Sequence, residues 1–145
     1  MLGVLRAEED GEGTHPLPNL TQLSALVADA RTAGLAVDID EGLDELHLLP
    51  PGIQLTAYRI VQEALTNVRK HAPDSAVRIT LTRNPAWLEI AIADDGAGTV
   101  SEPEAGNGLI GMRERVAMHA GTLYAGPGGD GGFLVRACLP VTEAA

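Results

Sequence analysis

The chain reads as a two-layer α/β sandwich, with a mixed, mostly antiparallel sheet and helices on one face. Three observations predict this class. Apolar residues recur at a spacing of three to four in three segments and alternate in five others, giving the order helix, strand, helix, hairpin, helix, hairpin. Glycine, proline and asparagine stand at nearly every change of period. Strands separated by single helices, with two pairs joined by short turns, can bury one sheet face under the helices.

Taken in order, Met1 to Arg6 is short and apolar, and the acidic run Ala7 to Thr14 breaks any helix. Residues 1–14 therefore read as the end of something longer followed by a linker, and residues 15–143 as the folded domain. Pro16 and Pro18 introduce a helix capped by Asn19 or Thr21, with Leu20, Leu23, Leu26, Val27 and Ala30 facing inward. Gly34 stops it, and Leu35 to Ile39 alternates as a strand before the acidic loop Asp40 to Asp44. A central helix begins near Gly52 and closes at Ala72-Pro73. Val77, Ile79 and Leu81 alternate with polar neighbours, Asn84-Pro85 turns the chain, and Trp87 to Ala93 returns as an antiparallel partner. The helical period reappears over Leu109 to Ala120, with Leu109, Met112, Val116 and His119 inward and Gly121 as the stop. Thr122 to Ala125 and Phe133 to Leu139 form the last two strands.

Composition narrows what such a domain does. With 45% hydrophobic but only 3% aromatic residues, its core must be aliphatic and alanine-rich. Twenty acidic against ten basic residues give a net charge of −10, which argues against a nucleic-acid or anionic-membrane surface. An anionic nucleotide remains compatible, because local cations and backbone amides can dominate a pocket. Cys138 is the single cysteine, so an intrachain disulfide and a cysteine metal cluster are excluded, and a reducing cytoplasm fits. No apolar run approaches the ~20 residues of a membrane span.

The chemistry-bearing residues fall in three places. On the central helix, Glu63 and Asn67 stand four apart and share a face, with Lys70 and His71 near the end. A carboxylate, a neutral oxygen donor and cations suit magnesium and a polyphosphate, although a solvated amphipathic face has the same pattern. The second strand runs into Asp94-Asp95-Gly96-Ala97-Gly98, which sets a carboxylate at a sheet edge beside unobstructed backbone. Asp94 there could accept a hydrogen bond from an exocyclic amino group, or simply close an acidic turn. Gly106-Asn107-Gly108-Leu109-Ile110-Gly111-Met112 opens the third helix, where backbone N–H groups can close on phosphates. No Walker lysine follows, and the context of a dinucleotide-binding fold is missing.

In this order the three motifs resemble the GHKL (Bergerat-fold) ATP-binding superfamily, which includes gyrase, Hsp90, MutL and the sensor histidine kinases. Tyr58 to Val68 with Lys70-His71-Ala72 resembles the N box of histidine kinases of the nitrate-sensor class. Asp94 to Gly98 resembles their G1 box and Gly108 to Val116 their G2 box, within a similarity spanning Leu17 to Val141. The resemblance implies ATP and Mg2+ as cofactors. Asn67 would be the metal ligand, Lys70 and His71 would stand near the phosphates, and Glu63 would be the catalytic carboxylate. Asp94 would read the adenine amino group beside Gly96 and Gly98. Gly106, Asn107, Gly108, Leu109, Gly111 and Met112 would complete the nucleotide site, with Thr99 to Ala105 as a short lid. Many relatives carry Gly-Thr where this chain has Gly132-Phe133, so a threonine hydroxyl near Asp94 is missing. Leu2 to Arg6 resembles the last turn of the preceding dimerisation helix.

The implied activity is protein-histidine phosphotransfer, with the acceptor histidine on a separate dimerisation domain and a cognate response regulator as the downstream partner. His15, His47, His71 and His119 lack an acceptor-like helical context, so the chain is not expected to phosphorylate itself. Two alternatives are a serine kinase of the anti-sigma-factor type and a non-catalytic nucleotide-binding module.

Overall fold

The structure is a computed structural model that describes residues 18–40, 46–96, 107–129 and 131–141. The expected linker over residues 1–14 and the expected lid, Thr99 to Ala105, lie outside the described residues.

Asn19 opens the first helical segment, as its short polar side chain favours. Thr21 N–H donates to Asn19 Oδ1 over 2.9 Å, and Asn19 N–H donates to Gln22 Oε1 over 3.0 Å. This reciprocal capping box starts a 3-10 turn, Leu20–Gln22, that runs into helix α1, Leu23–Thr32. Leu20, Leu23, Val27 and Ala30 are buried, as their spacing requires. Gly34 takes φ +106°; its N–H bonds Arg31 O and that of Leu35 bonds Ala30 O, a Schellman ending.

Strand β1, Ala36–Ile39, follows, one residue shorter than expected at its start. Helix α2, Pro51–His71, begins with proline in its first turn, where the missing N–H costs no hydrogen bond. It ends because Ala72 precedes Pro73 and takes an extended φ of −149°. β2, Ala76–Arg83, and β3, Trp87–Asp94, form the expected antiparallel hairpin. Asn84 shapes its turn by accepting from Ala86 and Trp87 N–H through Oδ1, both at 2.9 Å. Helix α3, Asn107–Met118, leads to the final pair, β4, Thr122–Pro127, and β5, Phe133–Pro140.

The end of α3 corrects one expectation. The left-handed residue is Ala120 (φ 61°), not Gly121. Ala120 N–H reaches Ala117 O and Gly121 N–H reaches Val116 O, so the Schellman ending falls one residue early. Gly121 is required for a different reason: a Cβ there would overlap Cys138 O of β5 and stand 3.1 Å from Leu139 Cδ2.

The five strands are ordered β1-β2-β3-β5-β4. β1 and β2 are parallel because α2 carries the chain across between them, and every other pairing is antiparallel. Val77, Ile79, Leu81, Leu88, Ile90, Ile92, Val135, Ala137 and Leu139 form the buried face, packed in one core with α1, α2 and α3. The opposite face carries exposed ion pairs, Arg78–Asp38 at 3.8 Å and Arg136–Glu89 at 3.5 Å. Cys138 lies on that face in register with Glu89, and burial first, then the Glu89 charge, pushes its thiol pKa up. The architecture is therefore the expected two-layer sandwich.

Gln54 on α2 is buried and fully bonded. Leu20 N–H donates to its Oε1 over 3.1 Å, while its Nε2 donates to His47 O at 3.1 Å and Leu49 O at 2.9 Å. One amide thus fastens the opening turn and the segment before α2 to the central helix.

Candidate nucleotide site

Helix α2 is the axis of the site. Its apolar stripe, including Ala57, Ile60, Val61, Ala64 and Leu65, is in the core, which turns Glu63 and Asn67 towards the edge of the helix layer. Both are half-buried, and neither side chain makes a hydrogen bond or ion pair to the described residues. Helix α3 runs antiparallel beside α2. At one end His119 Nε2 and Thr56 Oγ1 are 2.9 Å apart, with Gly52 beneath the imidazole. At the other end the first turn of α3 meets Glu63: a Cβ on Gly108 would overlap Glu63 Oε2 and Cδ.

Strand β3 delivers Asp94 on the helix-covered face, opposite Val77. Gly96 N–H donates to Asp94 Oδ1 over 2.8 Å, which fixes the carboxylate and leaves Oδ2 free among the described residues. The neighbouring Asp95 is used differently. Its N–H donates to Ala76 O and its Oδ1 accepts from Ala76 N–H at 2.8 Å, so it extends the β2–β3 ladder. Gly96 is seated on the end of α2, since a Cβ there would stand 2.8 Å from Ala72 Cβ and 3.4 Å from Ser75 Oγ. Gly132 closes the other side, where a Cβ would overlap the Asp94 carbonyl. Extending the β3–β5 register by one step sets half-buried Phe133 opposite Asp94.

The three motifs therefore meet on α2, through Gly108 against Glu63 and Gly96 against Ala72. Gly111 has open space, with Arg115 Nη1 at 3.8 Å the nearest described atom to an added Cβ. Packing against the described residues therefore does not account for this glycine inside a helix. Leu109 is half-buried against the core, and Met112, 1% exposed, is a core side chain that anchors α3. Lys70 lines a hollow of about 410 Å³ with Thr66, Arg69, Leu35 and Pro73, on the flank of α2 facing the end of α1. His71 is exposed and unpaired among the described residues. Asp94, Gly132 and Phe133 line a groove of about 670 Å³ at the sheet end. Gly98, Gly106 and the Asn107 side chain fall outside the described residues.

Among the described residues no three acidic, histidine or cysteine side chains cluster to hold a metal. A metal here would need phosphate and water oxygens besides Asn67, which is the usual habit of magnesium. Among them also, no helix is long and apolar enough to cross a membrane.

Comparison with known proteins agrees with this geometry. Residues 52–143 match the family described as histidine kinase-, DNA gyrase B-, and HSP90-like ATPase. The chain is 36% identical over 124 residues to the sensor histidine kinase YxjM of Bacillus subtilis, covering 84% of this chain and 30% of that protein. It is also 36% identical over 124 residues to the histidine-protein kinase/phosphatase UhpB of Salmonella typhimurium, covering 85% and 24%. The chain thus spans about a third or less of the length of these relatives. Among solved structures, the histidine kinase domain of the Erythrobacter litoralis EL346 blue-light activated kinase superposes with a TM-score of 0.65 at 20% identity, covering 81% of this chain and 57% of that one. The ATP binding domain of PrrB from Mycobacterium tuberculosis gives 0.60 at 23% identity, covering 87% and 96%. The chain belongs to the histidine kinase-, DNA gyrase B-, and HSP90-like ATPase family.

Proposed function

We propose that this chain is the catalytic ATP-binding domain of a two-component sensor histidine kinase, working in the cytoplasm. It binds ATP with magnesium and donates the γ-phosphoryl to a histidine on a separate dimerisation domain, from which a response regulator is served. Residues 15–143 are the domain and residues 1–14 the link to that partner. The observation that carries the reading is the meeting of three motifs on one helix, Glu63 with Gly108 and Ala72 with Gly96.

Each residue is assigned a role in that reading. Asp94, held through Oδ1 by Gly96 N–H, accepts the adenine amino group at Oδ2. Phe133 stands opposite it where many relatives carry threonine, so Asp94 reads the base without that hydroxyl. Gly96 and Gly98 admit the base, while Gly106 and the start of α3, Asn107, Gly108 and Gly111 with Leu109 and Met112 behind, receive the phosphates. Asn67 offers a neutral oxygen to a magnesium ion, and Lys70 and His71 supply positive charge nearby. Bound magnesium would neutralise developing phosphate charge. Glu63 orients or deprotonates the attacking group or a water.

A titration with a fluorescent ATP analogue, with and without magnesium, tests the reading. ATP and ADP should compete and GTP should not, because its carbonyl would face the Asp94 carboxylate. Equal competition by GTP would overturn the assignment of Asp94.

A further inference from the structure

Gly108 stands in the first turn of α3, and its environment gives it a task besides phosphate contact. A Cβ there would overlap Oε2 and Cδ of Glu63 and lie 3.0 Å from its Cγ. Glu63 makes no hydrogen bond or ion pair to the described residues, and the space left by the missing Gly108 side chain is where its carboxylate lies. Glycine within a helix is destabilising relative to alanine, so α3 carries it against its own propensity. The positive end of the α3 dipole also favours a carboxylate beside that turn.

We propose that Gly108 is a positioning residue for Glu63: its missing side chain is the seat that aims the carboxylate at the reacting group. The inference rests on the reading of Glu63 as the catalytic carboxylate. It adds that the aim of the carboxylate is tied to the placement of the α3 N-terminus. A shift of that turn moves the seat and misdirects Glu63.

The test uses Gly108→Ala in three backgrounds of the 145-residue chain, read by thermal melting and by steady-state ATP hydrolysis. In the wild-type background the added methyl displaces the free end of the Glu63 side chain, a shift that costs little in Tm but lowers kcat about ten-fold or more, with a smaller change in KM. In the Glu63→Ala background the crowding atoms are gone, so Gly108→Ala raises Tm by about 3 °C, more than in wild type, because alanine is the better helix former, and lowers kcat no further. In the Glu63→Gln background, which keeps the shape and removes the charge, Gly108→Ala shifts Tm as in wild type. An equal Tm shift in all three backgrounds would overturn the proposal, as would a Gly108→Ala effect confined to KM. If instead Glu63→Ala alone leaves hydrolysis unchanged while the Tm difference holds, the catalytic reading of Glu63 falls and the seat stands.

Discussion

Replacing Asp94 by asparagine tests how the base is read. Asp94 Oδ1 already accepts the Gly96 N–H at 2.8 Å, which leaves one oxygen for the adenine amino group. Asparagine can keep the Gly96 bond, but then its amide NH2 faces the amino group, donor against donor. Flipping the amide restores the acceptor and loses the Gly96 bond. Either way one buried polar match is lost, at about 1–3 kcal/mol, or roughly a ten- to hundred-fold loss of affinity. The fold should survive, since the first arrangement preserves every bond within the protein. Asp95→Asn is the matched control: its Oδ1 still accepts from Ala76 N–H, and no base contact is assigned to it. Calorimetric titration with ADP should therefore weaken for Asp94→Asn alone. Unchanged affinity in Asp94→Asn, or equal weakening in Asp95→Asn, would refute the assignment.

Asn67→Ala should reduce the magnesium-dependent part of nucleotide affinity and leave metal-free binding nearly intact; an identical magnesium dependence in mutant and wild type would remove Asn67 as a ligand. Gln54→Ala strands Leu20 N–H and the His47 and Leu49 carbonyls. A loss of about 2–4 kcal/mol follows, read as a Tm lowered by about 5–10 °C with nucleotide affinity per folded molecule unchanged. The Cys138 thiol has its folded pKa raised above an ordinary 9.0 by burial and then by Glu89. The stability gained by keeping it neutral is complete below the unfolded pKa and is lost as pH rises through the folded one. Relative to Cys138→Ala, the wild-type Tm should hold its offset below the ordinary thiol pKa and fall behind above it.

Most of the architecture was legible because it rests on local physics. The period of the apolar residues fixes α1, α2 and the β2–β3 hairpin, and the caps at Asn19 and Gly34 are short-range hydrogen-bond problems. Long-range contacts were not legible. Gly121 looks like a helix stop, yet the residue with positive φ is Ala120, and the need for glycine at 121 comes from the Cys138 carbonyl of β5. Gln54 carries no sequence signal because its partners lie 34, 7 and 5 residues away and become visible only in the fold. The motifs named the candidate residues, but the contact of Glu63 with Gly108 and the different hydrogen bonds of Asp94 and Asp95 required the packed structure.

The central claim is that the chain donates a phosphoryl group to a histidine it does not itself carry. Among its described histidines, His47 is in a 3-10 turn, His71 ends α2 and His119 is bonded to Thr56 just after α3. The direct measurement is incubation of the purified chain with radiolabelled ATP and magnesium, alone and with the dimerisation domain of a homologous sensor kinase. Holding donor and acceptor together is worth about 7–11 kcal/mol of barrier in such reactions, so the chain alone should show only slow release of phosphate. With the dimerisation domain added, acid-labile, alkali-stable label should appear on that domain, weakly, because no tether raises its effective concentration. Acid-labile label on the isolated chain would contradict the account by making one of its own histidines the acceptor; acid-stable label would point instead to a serine kinase.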